Sequence, residues 1–155
     1  MSGGRARLPS KRLLQYAAVP YRRNEDGETE VMLLTSRETR RWVIPKGWPI
    51  RGAKPHASAA REALEEAGLI GRTTIEAIGT YRYDKRMKNG LDTRCKVEVF
   101  PLEVTAQRKR WREQGQRKLR WFTLRDAAKA VQEPGLRKLL RRLDRLVPNE
   151  TDSEA

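Results

Sequence analysis

Residues 47–69 read GWPIRGAKPHASAAREALEEAGL, and the expectations for the rest of the chain start from this stretch. The proline at position 55 suits the first position of a helix, where its missing N–H costs nothing. The glycine at position 68 suits the left-handed residue that often ends a helix. The stretch therefore predicts a helix over Pro55–Ala67, preceded by a loop that contains Gly47, Pro49 and Gly52.

Three carboxylates share one side of this predicted helix. Glu62 and Glu66 lie one turn apart, and Glu65 lies three residues after Glu62. Like charges at these spacings repel by a few tenths of a kcal/mol per pair, so the cluster favours a compensating cation. Arg61 supplies part of the charge, and a divalent ion such as Mg²⁺ would supply more because it prefers carboxylate oxygens and retains water ligands. Taken alone, such a run is also typical of a solvated helix face.

The remaining pattern alternates strands with helices, which predicts a mixed α/β or α+β domain. Pro20, near the end of the first strand, favours an edge position for that strand. The apolar phase of the strand Arg94–Val104 changes around Pro101, which predicts a bulge or a bend. The predicted strands are Leu13–Tyr21, Val31–Thr35, Trp42–Ile44, Ile75–Tyr83, Arg94–Val104 and Leu119–Phe122, and the later helices are Leu124–Val131 and one that starts at Pro134.

Composition narrows the class of protein. The chain has 155 residues, with 34 Lys and Arg against 20 Asp and Glu, a net charge of +14. This excess favours polyanionic partners: nucleic acid, anionic lipid or phosphorylated small molecules. One cysteine, Cys95, and one histidine, His56, exclude an internal disulfide and a structural zinc site. No apolar run is long enough to span a bilayer and no secretory signal is visible, so we expect a reducing cytoplasm.

We expect three segments along the chain. Residues 1–11 predict a flexible basic arm, residues 12–147 a single domain, and residues 148–155 a flexible acidic tail.

The opening stretch resembles the box of the Nudix hydrolase family, G-x5-E-x7-R-E-U-x-E-E-x-G-U, in which U is a bulky aliphatic residue. Two positions depart from this pattern. Ala53 replaces the first glutamate, which in the family helps to hold the box arginine and the loop, and Ala63 replaces a bulky aliphatic residue. The matching positions are Gly47, Arg61, Glu62, Glu65, Glu66, Gly68 and Leu69.

Two further segments resemble the diphosphoinositol and diadenosine polyphosphate hydrolase branch of that family. Residues 40–48 read RRWVIPKGW, and residues 111–131 read WREQGQRKLRWFTLRDAAKAV. They favour this branch over relatives that clean the nucleotide pool or hydrolyse ADP-ribose.

The resemblance implies a Nudix fold, a mixed β-sheet sandwiched between helices, and hydrolysis of a diphosphate linkage in a highly phosphorylated small molecule. Glu62, Glu66 and the carbonyl of Gly47 would bind Mg²⁺, or Mn²⁺ in its place. Glu65 is the candidate general base; alternatively, Glu62 orients the water and Glu65 is a ligand. One further acidic residue is either Glu98 or Glu113. The implied substrate-binding cations are Arg37, Arg41, Lys46, Arg86 and Arg117, and the residues that support the motif are Arg61 and Gly68.

Two other functions are compatible with the sequence. The basic surface would also suit removal of pyrophosphate from RNA 5′ ends. Ala53 and the charge of +14 would suit a catalytically weak Nudix-fold module that binds nucleic acid or another polyanion. The pattern predicts no membrane segment and leaves the oligomeric state open.

Overall fold

Within residues 13–147, the part of the chain that the computed structural model describes, eight strands form one sheet and four helices cover it. The predicted basic arm and acidic tail lie outside the described residues, so the domain limits of 12 and 147 stay a prediction. The strands are β1 (Leu13–Arg23), β2 (Thr29–Thr35), β3 (Trp42–Val43), β4 (Lys46–Gly47), β5 (Leu69–Thr73), β6 (Gly79–Arg86), β7 (Asp92–Gln107) and β8 (Leu119–Thr123). The helices are α1 (Pro55–Ala67), α2 (Leu124–Ala130), α3 (Pro134–Arg141) and α4 (Leu143–Leu146).

The sheet is mixed. Its strand order is β3-β2-β1-β7-β5, and β4, β6 and β8 pair with β1, β7 and β2, respectively. β1 and β7 run parallel from the pair Leu13 and Cys95 to the pair Tyr21 and Glu103, whereas the other pairings are antiparallel. A parallel pair needs a long crossover, and the segment between β1 and β7 contains α1.

Helices cover both faces of the sheet, as the fold class predicts. On one face, Val97 and Val99 of β7 join the core formed with α2, α3 and α4. On the other face, Phe100 and Leu102 pack in the core formed with α1. Ala63 of α1 is fully buried there, so the small residue in place of a bulky one lets the helix approach the sheet closely. The predicted α+β sandwich is confirmed.

The prediction that β1 lies at an edge is wrong, since β1 is central and pairs with β2, β4 and β7. Strand N–H groups alternate sides, so the nitrogen of Pro20 points to the same side as the N–H of Ala18, which donates to the Pro45 carbonyl at 3.0 Å. On that side, pairing with β4 ends at Ala17 and pairing with β2 begins at Tyr21. Proline therefore occupies the gap between two ladders, where no donor is needed.

The predicted bulge at Pro101 is also wrong. The ladder between β1 and β7 passes through the pair Val19 and Pro101 without a shift of register. The register shift lies instead between Ile70 and Gly71 of β5, which pair with Ala106 and Val104. The change of apolar phase in β7 arises because the two helix layers cover different halves of this long strand.

Three strands differ from the prediction. β4 contains Gly47, which was predicted to lie in a loop, and this difference arises because Lys46 and Gly47 pair with Ala17 and Tyr16 of β1. β5 was not predicted, because LIGRT is short, pairs only with β7 and lacks a clear alternation of apolar residues. β6 spans Gly79–Arg86 rather than Ile75–Tyr83, and Ile75 is 75% exposed. No helix within residues 13–147 is both long enough and apolar enough to cross a membrane.

Helix α1 begins and ends where the sequence predicts. Pro55 is its first residue, and Gly68 ends it in the left-handed conformation with φ of 72°. The N–H of Gly68 donates to the carbonyl of Leu64 at 2.9 Å. A side chain at position 68 would overlap the indole ring of Trp111, so this position excludes a Cβ for two independent reasons.

We expect Gly68→Ala to lower the free energy of unfolding by roughly 2–4 kcal/mol, from left-handed strain together with overpacking against Trp111. Gly115→Ala is the matched control, because Gly115 has φ of 87° and a methyl group added there would have no neighbour within 4 Å. Urea denaturation of both variants measures the difference. Equal losses in the two variants would show that Trp111 adds nothing to the requirement for glycine.

Candidate active site

A single open cleft of about 560 Å³ gathers side chains from β4, α1 and β6 and from the loops that follow β2 and precede β8. It holds eight of the residues that the sequence singled out. They are Gly47, Glu62, Glu66, Arg37, Arg41, Lys46, Arg86 and Arg117, and the cleft also contains the candidate extra acid Glu113.

One end of the cleft is acidic. The carboxylate of Glu62 lies against the Cα of Gly47, so close that any side chain at position 47 would overlap it. Strand β4 is held there by pairing of Gly47 with Tyr16 and of Lys46 with Ala17. Because glycine has no side chain, the backbone at position 47 and the carboxylate of Glu62 can approach each other closely.

Glu62 and Glu66 also contact each other through a hydrogen bond between their side chains. The pKa of Glu66 is raised to about 8, mainly by burial; Arg117 lowers it and the hydrogen bond to Glu62 raises it. The pKa of Glu62 is also raised, mainly because burial desolvates its carboxylate. Two carboxylates this close cannot both ionise easily, so Glu66 keeps a proton when no cation is present.

The structure does not bring Glu65 to the wall of the cleft. Its Oε2 atom lies 3.2 Å from Nε of Arg61 and 3.8 Å from Nη1 of Arg112. Its backbone carbonyl accepts a hydrogen bond at 3.0 Å from the N–H of Glu113, which fixes the loop before β8 against the end of α1. Arg61, which pairs with Glu65, and Gly68, which ends α1, both lie outside the cleft.

The acidic end of the cleft offers two carboxylates, Glu62 and Glu66, to a metal ion. No group of three or more His, Cys, Asp and Glu side chains within residues 13–147 is arranged to hold a metal ion. The buried Glu66 and the half-buried Glu62, which lies against Gly47, nevertheless fit Mg²⁺, because this ion is commonly held by one or two carboxylates and keeps several waters. The residues present therefore suit a divalent ion bound by Glu62 and Glu66.

The other walls of the cleft carry the cations, and most are already paired. Arg41 and Arg86 lie 2.9 Å and 2.8 Å from carboxylates of Glu133 and Asp92. Arg117 pairs with Glu113 at 3.0 Å. The remaining contacts are Arg37 Nη1 to Gln116 Oε1 at 3.0 Å and Arg117 Nη1 to the Thr35 carbonyl at 3.3 Å.

Lys46 lies on β4, next to Gly47. Its Nζ atom is 5.3 Å from the ring centroid of Tyr83, close enough for a cation–π contact. Burial lowers the pKa of Lys46, whereas the nearby carboxylates of Glu66 and Glu133 raise it. Lys46 therefore places a desolvated ammonium between the acidic end and the arginines.

The two candidates for an extra acid differ in position. Glu113 lines the cleft, whereas Glu98 lies on β7, opposite Tyr16 and Thr80, and does not line it. The sequence alone does not distinguish the two, because both look like solvated residues. The fold distinguishes them by placing only Glu113 at the cleft.

Several residues of the cleft were missed as site residues. Lys85 lies with its Nζ 5.6 Å from the ring centroid of Trp48. Tyr83 donates its hydroxyl to Gln15 Oε1 at 2.6 Å across two strands. Side chains alternate along β6, so Tyr83 and Lys85 lie on the same face of the strand. This spacing could have identified them from the sequence, whereas no sequence pattern indicated Gln15.

The charge of the cleft differs from that of the chain. Six cations and five carboxylates line it, so its walls are close to neutral although the chain carries +14. A bound divalent cation would make this cleft clearly positive, which suits an anionic ligand.

Known proteins resemble this chain over most of its length. The NUDIX domain family matches residues 13–143. Nudix hydrolase 21, chloroplastic, from Arabidopsis thaliana is 32% identical over 126 residues, covering 79% of this chain and 61% of that protein. Diphosphoinositol polyphosphate phosphohydrolase 3-alpha from Mus musculus is 32% identical over 108 residues, covering 68% of this chain and 62% of that protein. The chain thus spans less than two thirds of either relative.

A solved structure supports the same fold. The crystal structure of Ap4A hydrolase from C. elegans matches with a TM-score of 0.61 at 23% identity, and the match covers 88% of this chain and 99% of that chain. The family match, the intact helix carboxylates and the fold agree with one another. The chain belongs to the NUDIX domain family.

Proposed function

We propose that this protein hydrolyses a diphosphate linkage in a highly phosphorylated small molecule of the diphosphoinositol polyphosphate or diadenosine polyphosphate type, with Mg²⁺ or Mn²⁺ as cofactor. One observation carries this proposal: Glu62, which lies against Gly47, and the buried Glu66 share one cleft with six cations. The names of two similar proteins, a diphosphoinositol polyphosphate phosphohydrolase and an Ap4A hydrolase, favour the same substrate class.

Glu62, Glu66 and the carbonyl of Gly47 would hold the divalent cation. When bound, such an ion lowers the pKa of a coordinated water and neutralises charge on phosphate oxygens. The chain's own task is then to place the phosphates and to exclude competing orientations, since phosphoryl transfer depends mainly on positioning and electrostatics.

The cations of the cleft would bind the phosphate chain. Arg37, Arg41, Arg86 and Arg117 each offer a planar fork that matches two phosphate oxygens, whereas Lys46 acts as a point charge near the acidic end.

Glu65 remains our candidate general base. To reach a water in the cleft, its carboxylate has to leave Arg61 and Arg112, with which it pairs. Glu113 already lines the cleft and is the alternative acid on that side. Substitution of each by glutamine separates the two assignments.

We propose a reducing cytoplasm as the setting, on the strength of a single buried cysteine, Cys95. The proposed partner is the phosphorylated substrate itself, with nucleic acid as a secondary possibility and no membrane.

The proposal is tested by a substrate screen of the purified protein with Mg²⁺ and with Mn²⁺. We expect metal-dependent phosphate release from diadenosine penta- or hexaphosphate that is lost in Glu65→Gln. Preference for triphosphorylated RNA would redirect the substrate assignment. No turnover on any diphosphate would exclude an enzyme and leave salt-sensitive polyanion binding as the function to test.

The departure at position 53 gives a separate prediction. Ala53 is half-buried on the turn before α1, and its N–H donates to the Ile50 carbonyl at 3.0 Å. We expect Ala53→Glu to preserve or raise kcat/KM, because a carboxylate near a helix N-terminus is favourable by roughly 0.3–1 kcal/mol. Steady-state kinetics on the best substrate measures the change. A large loss would show that this site is supported differently from the family pattern.

A further inference from the structure

A buried carboxylate outside the Nudix box pairs with an arginine that lines the cleft. Glu133, the residue before α3, is only 8% exposed, and its Oε2 accepts a hydrogen bond at 2.9 Å from Nη1 of Arg41. Its other oxygen, Oε1, is buried and has no hydrogen-bond partner within the described residues. Because a buried carboxylate is unfavourable without a paired cation, Arg41 is what allows Glu133 to lie there.

The turn that carries Glu133 is fixed by its own contacts. A methyl group built on Gly135 would lie 2.7 Å from Cβ of Tyr81, so the turn presses directly against β6. The N–H of Arg137 donates to the Glu133 carbonyl at 3.0 Å, and the Arg137 guanidinium donates to two backbone carbonyls at 3.0 Å and 2.8 Å. The carboxylate is therefore held at a set position by backbone that cannot shift easily.

Arg41 reaches Glu133 from the loop that follows β2. It closes the loop after β2, where its carbonyl accepts a hydrogen bond at 2.8 Å from the N–H of Ser36. Nη1 is the atom of its guanidinium that bonds to Glu133, and the described residues offer no hydrogen bond to Nε or Nη2. Arg41 thus keeps two donor groups for a ligand while its third is anchored.

We propose that Glu133 is a positioning residue that orients Arg41 toward the phosphate chain of the substrate. This inference rests on the proposed function, in which Arg41 binds a polyphosphate. A free arginine side chain loses much rotamer freedom when it binds a ligand, and an anchored one has already lost it. The pair of Arg86 and Asp92 provides no such anchor, because the Asp92 side chain is 53% exposed.

The test is a double-mutant cycle on binding of diimidotriphosphate, a non-hydrolysable triphosphate chain, in the presence of Mg²⁺. We expect Glu133→Ala and Arg41→Ala each to weaken binding about tenfold, and the double variant to be no weaker than Arg41→Ala alone. Glu133→Gln retains an acceptor at the same place and should bind within about threefold of the wild type. In turnover, the loss in Glu133→Ala should fall on KM rather than on kcat.

Gln132→Ala is the matched control. Gln132 is exposed and reaches the same Nη1 of Arg41 at 3.4 Å, but without charge, so its loss should change binding less than twofold. Thermal denaturation checks that each variant is folded. If Glu133→Ala does not fold, Glu133→Asp, which keeps the charge but shortens the reach, should show the same loss.

Three results would overturn the proposal. One is unchanged or tighter binding by both Glu133→Ala and Glu133→Asp; another is an equal loss from Glu133→Ala with and without Arg41. Failure of the wild type to bind the probe would overturn it as well. Intact coupling in a protein that hydrolyses no substrate would contradict the hydrolase function alone and support the role of Glu133.

Discussion

Glu66→Gln is expected to abolish metal-dependent hydrolysis and, at the same time, to stabilise the metal-free protein at pH 8. Activity should fall by roughly a hundredfold or more, in line with the several kcal/mol that a bound metal ion contributes to such a transition state. The glutamine keeps the size of Glu66 and can still donate to Glu62, but it cannot supply a charged oxygen to a cation.

The effect on stability follows from the direction of the pKa shift. Burial raises the pKa of Glu66 from its ordinary 4.5 to about 8, so the folded protein binds a proton that the unfolded chain releases at lower pH. This contribution to stability is complete below pH 4.5 and is lost as the pH rises toward 8. Removing the ionisable group should recover on the order of 4 kcal/mol at pH 8.

Thermal denaturation in EDTA at pH 5 and at pH 8 measures this difference. The midpoint of Glu66→Gln should exceed that of the wild type at pH 8 by roughly 5–10 °C and should approach it at pH 5. Added Mg²⁺ should raise the midpoint of the wild type but not of the variant, because only the wild type gains binding free energy.

Glu103→Gln is the control for this pair of effects. Its carboxylate is 46% exposed and pairs with Arg72 at 3.6 Å, away from the cleft, so neither activity nor the midpoint should change appreciably. Hydrolysis by Glu66→Gln at the wild-type rate, with the same response to Mg²⁺, would remove Glu66 from the metal site.

Local chemistry explains why the helix of the site was predictable. Pro55 starts α1 and Gly68 ends it. Both effects are local, because each depends only on residues within one or two helical turns. The carboxylate spacing then follows from helical geometry, which places Glu62 and Glu66 on one side. The buried β2 and the cap of α2, where Thr123 accepts from the N–H of Asp126 at 3.1 Å, were predictable for the same reason.

What the sequence did not indicate depends on contacts between distant segments. Pro20 marks a gap between two ladders rather than an edge, and this depends on where β2 and β4 end. Glu65 lies at the expected spacing but pairs with Arg112 of a loop 47 positions later, which a helical projection cannot show. Glu133 reaches Arg41 from a turn that packs against β6, a contact between segments far apart in the sequence.

Gly47→Ala should disable the site through a single methyl group. That methyl would occupy the place of the Glu62 carboxylate, so Glu62 has to turn away or β4 has to move. Because β4 is only two residues long and is paired with β1, we expect the carboxylate to yield. Displacement of a reacting group by about 1 Å can cost on the order of a hundredfold in rate, so kcat should fall by about that factor.

Gly52→Ala separates this steric effect from backbone strain. Gly52 lies in the same loop with φ of 82°, and nothing lies within 4 Å of a methyl built there. It should therefore lose about 1 kcal/mol of stability and little activity, whereas Gly47→Ala should lose activity and the rise in melting temperature on adding Mg²⁺. If Gly47→Ala keeps both, then Glu62 does not need its place beside the backbone, and the metal site cannot depend on the contact between them.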